Sequence, residues 1–173
     1  HGFGDPKSDI LVAPLDGSTP PRALAEDDHA QWGARVSPDG HWVAFVSNQS
    51  GRHEIYVRSW SNPSAMWQVS SQGGNAPVWA RDGGELFYMR GSTLVSVPVD
   101  RASTSFSAGT ARDLFEMPPA YDVPLEIPNY DVEPGGRQFL TTRVANPDAA
   151  LRRVDLVFNW SEEVRRLSAN KQR

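Results

Sequence analysis

Residues 34–46 read ARVSPDGHWVAFV, two apolar runs separated by a proline, an aspartate and a glycine. Proline presets the φ angle that a tight turn requires, and glycine accepts the positive φ at the end of the turn. The run after the turn is apolar on both of its alternating faces, which is typical of a strand covered on two sides. The stretch therefore predicts a strand, a tight turn and a second, buried strand.

Two further stretches repeat this pattern. Residues 77–89 read PVWARDGGELFYM and match the first stretch position for position, at an offset of 43 residues. A third copy, YDVEPGGRQFL at 130–140, follows 53 residues later and keeps the proline and, as its second glycine, the glycine of the turn. Self-similarity at a period of about 40–50 residues with strand–turn–strand content is typical of the blades of a β-propeller.

We predict an all-β fold, a single partial β-propeller over residues 1–173 with about three to four four-stranded antiparallel blades and a short C-terminal helix. The segments are the end of a blade at 9–27, complete blades at 28–71 and 73–116, a final blade with an inserted loop at 117–158, and a helix with a tail at 159–173. A ring normally needs at least about four blades. We therefore expect the chain either to self-associate or to be completed by further N-terminal blades of a longer protein.

Composition excludes several classes of function. The formal net charge of −4 argues against a nucleic-acid interface, which needs a basic face to neutralise phosphates. The chain has no cysteine and therefore neither disulfides nor thiolate metal sites. No apolar run approaches the roughly 20 residues of a membrane-spanning helix, so we expect no membrane insertion.

No pattern in the sequence predicts catalysis or a cofactor. The nucleophile elbow, the phosphate-binding loop and the dinucleotide fingerprint are all absent. Asp39 and Asp82 each precede a turn glycine and are better explained as caps of their own turns than as metal ligands, because calcium loops need several closely spaced carboxylates. The histidines lack the spacing of a metal site. We assign no catalytic residue, no metal and no cofactor.

Five residues are candidates for contact with a ligand or partner. Arg35 and Asp131 occupy equivalent positions in two inner strands, whose side chains line the channel of a propeller, and channel water or a ligand would explain these charges equally well. Trp79 would either pack between blades or offer a stacking platform. Tyr121 and Asp122 lie in the inserted loop, and insertions between repeats frequently form the binding face.

The repeat also resembles a known family. SPDGHWVAFVSN at 37–48, followed by GRHEIYVR at 51–58, closely resembles the repeat of TolB-type propellers, often called PD40 or WD40-like. The likeness covers most of residues 9–158, and the run from 67 to 163 is also similar to the C-terminal end of propellers appended to bacterial serine/threonine kinases and other regulators.

This resemblance implies a non-catalytic module of a bacterial protein that binds or senses, with a protein or a small-molecule ligand as its partner. It favours a periplasmic or other extracytoplasmic location over a cytoplasmic one. The alternative is the regulatory propeller of a larger enzyme, either a prolyl-oligopeptidase-like serine peptidase or a receptor serine/threonine kinase.

Overall fold

In the part of the chain that the structure describes, the regular secondary structure consists of β-strands. The computed structural model describes residues 8–24, 27–103, 105–117, 128–134 and 138–141. All of them belong to one compact unit, His1–Arg143. Within these ranges, strands form two four-stranded and two two-stranded antiparallel sheets, and no helix has the length and apolarity of a membrane span. The predicted all-β fold is confirmed.

A short two-stranded sheet comes first along the chain. β1 (Leu11–Val12) pairs with β2 (Arg22–Ala23). Gly17 has a φ of 66° in the turn between them, and its N–H donates to the carbonyl oxygen of Pro14 at 3.2 Å. These strands lie in the segment 9–27, which we predict to be the end of a blade.

The first four-stranded sheet contains the Pro-Asp-Gly turn. Its strands pair in the order β3 (Gln31–Val36), β4 (Trp42–Ser47), β5 (Glu54–Ser59) and β6 (Met66–Gln68). Gly40 has a φ of 76°, and its N–H donates to the carbonyl oxygen of Ser37 at 2.9 Å. β3 and β4 pair on either side of this turn, and its glycine has the positive φ that the sequence predicts. The predicted strand, turn and second strand are therefore confirmed.

The second four-stranded sheet repeats this arrangement. Its strands pair in the order β7 (Asn75–Trp79), β8 (Glu85–Arg90), β9 (Thr93–Pro98) and β10 (Arg112–Glu116). The turn between β7 and β8 has Gly83 at a φ of 73°, and the N–H of Gly83 donates to the carbonyl oxygen of Ala80 at 2.9 Å. The repeat in the sequence is therefore a repeat of structure.

A second two-stranded sheet follows. β11 (Tyr130–Val132) pairs with β12 (Phe139–Thr141), with Tyr130 opposite Thr141. These are the first two strands that the third copy of the repeat predicts. The third copy also predicts a third strand at 154–158, and this strand and the predicted helix and tail at 159–173 lie outside the described residues.

The inner strands of both four-stranded sheets contain a bulge at the same place in the repeat. The register of each inner strand against its neighbour shifts around Gly33 in β3 and around Ala76 in β7. Gly33 has a φ of 65° and Ala76 a φ of 53°. A positive φ suits glycine but strains alanine, so the same backbone shape costs free energy at Ala76 and not at Gly33.

Apolar side chains from the two four-stranded sheets form the main core. Its fully buried members include Ala44, Val46, Ile55 and Val57 from the first sheet and Leu86, Val95 and Val97 from the second. Val43 and Phe45, on the opposite face of β4, are also buried. β4 is therefore covered on both faces, as its sequence predicts. Burial of one such valine, leucine or isoleucine contributes about 1.5–3 kcal/mol.

A second apolar cluster joins the second four-stranded sheet to β11 and β12. Its buried members are Ala76, Ala80, Phe87, Leu94, Met117 and Tyr130. Phe139 of β12 packs edge-on against Phe87, with their ring centroids 5.1 Å apart. The two four-stranded sheets and the β11–β12 sheet therefore pack face to face, and the described residues form an open, partial propeller-like arrangement.

Candidate functional site

A pocket of about 430 Å³ lies where the three inner strands β3, β7 and β11 come together. Each inner strand contributes two residues and the flanking loops contribute two prolines; the lining is Arg35, Val36, Pro38, Val78, Trp79, Pro128, Tyr130 and Asp131. The volume is in the range of small-molecule sites, about 300–1,000 Å³. Three of the five predicted site residues, Arg35, Trp79 and Asp131, thus lie in one pocket. We call it the inner-strand pocket.

Trp79 forms a buried wall of the inner-strand pocket. It is the last residue of β7, its side chain is 8% exposed, and its Nε1 donates a hydrogen bond to the carbonyl oxygen of Arg35 at 2.9 Å. This bond ties the second blade to the inner strand of the first. The tryptophan therefore packs between blades and also lines the pocket, and its role as a stacking platform stays a prediction.

Tyr130 holds β11 against β7. Its hydroxyl donates to the carbonyl oxygen of Ala76 at 2.8 Å, and the residue is 5% exposed. Burial raises the pKa of the Tyr130 phenol, the positive charge of Arg35 opposes this shift and the negative charge of Asp131 adds to it. The phenol therefore remains a protonated donor across the physiological pH range.

Arg35 and Asp131 are the two charged residues of the lining, and both are exposed. Arg35 Nη1 donates to the carbonyl oxygen of Ala34 at 2.9 Å, and Asp131 Oδ1 accepts from the backbone N–H of Val132 at 2.8 Å. Among the ion pairs of the described residues, none joins Arg35 to Asp131. The pocket therefore presents a cation and an anion that do not form a salt bridge with each other.

The inserted loop reaches the pocket at its C-terminal end. Pro128, which belongs to this loop at 117–129 and is its first described residue after Met117, is part of the lining. Tyr121 and Asp122 lie outside the described residues, so their assignment as site residues stays a prediction.

Sequence reasoning missed the contribution of Tyr130 and of the prolines. Tyr130 stands in the third copy where the first two copies have Ala34 and Pro77. The available signal was the tyrosine itself, at a position where the other two copies have smaller residues. A buried tyrosine usually needs a hydrogen-bond partner, so it indicates a contact across the blades.

The turn aspartates act as caps. Asp39 Oδ1 accepts from the backbone N–H of His41 at 3.0 Å, and Asp82 Oδ1 accepts from the N–H of Gly84 at 2.9 Å. The predicted capping role of both aspartates is confirmed. Within the described ranges, no group of three or more histidine, aspartate or glutamate side chains is placed to hold a metal ion.

Comparison with known proteins finds a likeness to solved structures. No protein-family model matches the chain. No curated protein matches it either. A solved structure described as "putative TolB from Agrobacterium tumefaciens" is similar over 62% of this chain and 41% of that chain, with 20% sequence identity and a TM-score of 0.49. The matched region thus spans less than half of that protein's length. The strand pairing of the described residues defines an all-β, partial propeller-like arrangement.

Proposed function

We propose that this chain is a non-catalytic propeller module that binds a protein or a small-molecule ligand at the inner-strand pocket. The observation that carries the proposal is the convergence of Arg35, Trp79 and Asp131, which come from three different copies of the repeat, on one pocket of about 430 Å³. Concave sites with an apolar lining and a few polar groups are where proteins bind small ligands and peptide segments.

The pocket is supported by hydrogen bonds across the blades. Trp79 Nε1 is bonded to the backbone of β3, and the Tyr130 hydroxyl is bonded to the backbone of β7. A site built on strands that are tied together in this way loses little conformational freedom when a ligand binds. This preorganisation favours binding over a purely structural role for the exposed charges.

The chemistry of the lining favours binding over catalysis. The described lining side chains offer a guanidinium and a carboxylate, but no serine, cysteine, histidine or lysine that would act as a nucleophile or as a base near neutral pH. An extracytoplasmic location in a bacterium, implied by the resemblance of the repeat, belongs to the same proposal. Self-association also stays a prediction, and light scattering coupled to size-exclusion chromatography would test it.

The proposal is tested by a ligand screen monitored by NMR. The ¹⁵N-labelled chain would be titrated with a fragment library and with mixtures of short peptides. We expect saturable shifts of the backbone amides of Arg35, Val78 and Asp131.

The variant Val36→Trp, which places a large ring at a lining residue that is 50% exposed, should abolish these shifts. A substitution at Leu15, which is fully exposed on another segment and absent from the lining, serves as the control. Shifts that cluster elsewhere, or that survive in Val36→Trp, would contradict the proposal.

A further inference from the structure

The two charges of the inner-strand pocket retain most of their hydrogen-bonding capacity. In the part of the chain that the structure describes, neither Arg35 nor Asp131 takes part in a salt bridge. Arg35 donates to one backbone carbonyl, and Asp131 accepts from one backbone N–H. A guanidinium has five N–H donors and a carboxylate about four acceptor positions, so both groups can bind a further molecule.

The remaining polar side-chain atoms of the lining are already committed. Trp79 Nε1 donates to the backbone of Arg35, and the Tyr130 hydroxyl donates to the backbone of Ala76. The other described lining side chains are those of two valines and two prolines. Polar recognition by the lining side chains therefore falls to Arg35 and Asp131.

The two charges flank an apolar position. Arg35, Val78 and Asp131 occupy the same place in the three copies of the repeat, and all three line the pocket. A purely anionic ligand would be attracted by Arg35 and repelled by Asp131, and a purely cationic ligand would meet the reverse. A ligand that carries both charges on a short carbon skeleton would satisfy both groups and leave its skeleton against Val78.

We infer that the inner-strand pocket binds a small zwitterion, an amino acid or a short peptide, with its carboxylate on Arg35 and its ammonium group on Asp131. The inference rests on the proposed function, because it names the ligand class of the same pocket. The planar guanidinium binds both oxygens of a carboxylate through parallel N–H groups. The ammonium group offers three donors to the Asp131 carboxylate.

The experiment compares free and capped peptides. The ¹⁵N-labelled chain is titrated with glycine, glycylglycine and triglycine, and then with N-acetylglycylglycine and glycylglycinamide, each of which lacks one charge. We expect saturable shifts of the Val36 and Val78 amides with at least one free zwitterion. Blocking either end should weaken binding about tenfold or more, since hydrogen bonds to charged groups are the stronger class. Equal binding of the capped and free forms would overturn the inference.

Two variants assign each end of the ligand. Arg35→Gln should weaken binding of the zwitterion about tenfold and remove the sensitivity to C-terminal amidation. Asp131→Asn should weaken binding equally and remove the sensitivity to N-terminal acetylation. Both side chains are exposed, so the melting temperature should stay unchanged and serves as the folding control. If neither variant weakens binding, the inference is wrong.

Failure of this inference and failure of the proposed function give different results. Fragments or capped peptides that shift the pocket amides while free zwitterions do not would overturn the zwitterion and leave the binding module intact. The absence of any saturable shift at the pocket with any of these probes would overturn both.

Discussion

The hydroxyl of Tyr130 donates a hydrogen bond, 2.8 Å long, to the carbonyl oxygen of Ala76, the residue of β7 that adopts a positive φ of 53°. The bond links two residues 54 positions apart, one of which, Tyr130, lines the inner-strand pocket. It joins a strained point of one blade to the first strand of the next. The stability of the pocket wall therefore depends on this contact.

Loss of the Tyr130 hydroxyl should destabilise the protein. Tyr130→Phe leaves the buried carbonyl of Ala76 without this donor, and we expect the free energy of unfolding to fall by about 1–3 kcal/mol. Urea unfolding followed by fluorescence measures the change. Tyr56→Phe is the matched control, because Tyr56 is a second buried tyrosine, 2% exposed, and takes no part in the bond to Ala76. Equal losses in the two variants would show that the bond to Ala76 contributes nothing specific.

The same tyrosine should make stability depend on pH in the alkaline range. A tyrosine in the unfolded chain has a pKa of about 10. Burial raises the pKa of Tyr130 in the folded protein, so only the unfolded state loses this proton as the pH rises above 10. The stabilising contribution is complete below pH 10 and should decline by about 1.4 kcal/mol per pH unit above it. In unfolding experiments at pH 9, 10 and 11, the stability gap between the wild type and Tyr130→Phe should narrow. Parallel curves would contradict the prediction.

The bulges at Gly33 and Ala76 predict that exchanging glycine and alanine changes stability differently at the two positions. Gly33→Ala places a Cβ at a φ of 65° and should destabilise the protein by about 1–2 kcal/mol. Ala76→Gly should change stability by less than about 0.5 kcal/mol, because relief of strain offsets the lost methyl group and the added freedom of the unfolded chain. Ala44→Gly, at a buried position of β4 without a positive φ, is the control and should cost about 1–2 kcal/mol. Chemical unfolding measures all three. A loss in Ala76→Gly as large as in Ala44→Gly would argue against strain at Ala76.

Side chains pack so closely around Gly74 that an alanine at this position should destabilise the protein. A Cβ there would lie 2.6 Å from Ser70 Oγ and 2.7 Å from Ile55 Cγ1. Ser70 cannot easily swing away, because its Oγ accepts from the N–H of Ile55 at 2.7 Å and donates to the buried carboxylate of Glu54. We expect Gly74→Ala to lower the free energy of unfolding by about 1–3 kcal/mol.

Gly84→Ala is the matched control for Gly74→Ala. The three atoms nearest to its added Cβ all belong to the exposed Asp82 carboxylate, at 3.3 Å or more, so a shift of a few tenths of an ångström relieves the contact and keeps the hydrogen bond from the Gly84 N–H. The change in stability should stay within about 0.5 kcal/mol. Thermal unfolding compares the melting temperatures of the two variants, and we expect Gly74→Ala to melt at the lower temperature. Similar melting temperatures would contradict the predicted clash.

The local sequence pattern predicted the strands, but it predicted the starts of the inner strands less accurately. The pattern predicts the second strands of the two blades at 42–47 and 85–90, and β4 and β8 have these bounds, because each follows a turn and is largely apolar. The inner strands begin earlier than predicted, at Gln31 rather than 34 and at Asn75 rather than 77. The bulges around Gly33 and Ala76 break the two-residue alternation, so a simple strand pattern does not extend across them.

The sequence by itself determined the repeat, the turns and the all-β class, because these follow from residues that are neighbours in the chain. It also placed Arg35 and Asp131 at equivalent positions. Only the tertiary structure decided that these charges and Trp79 share a pocket. The contacts responsible, Trp79 to Arg35 and Tyr130 to Ala76, join residues 44 and 54 positions apart. Such contacts form only when whole sheets pack against each other, and no local pattern of residues encodes them.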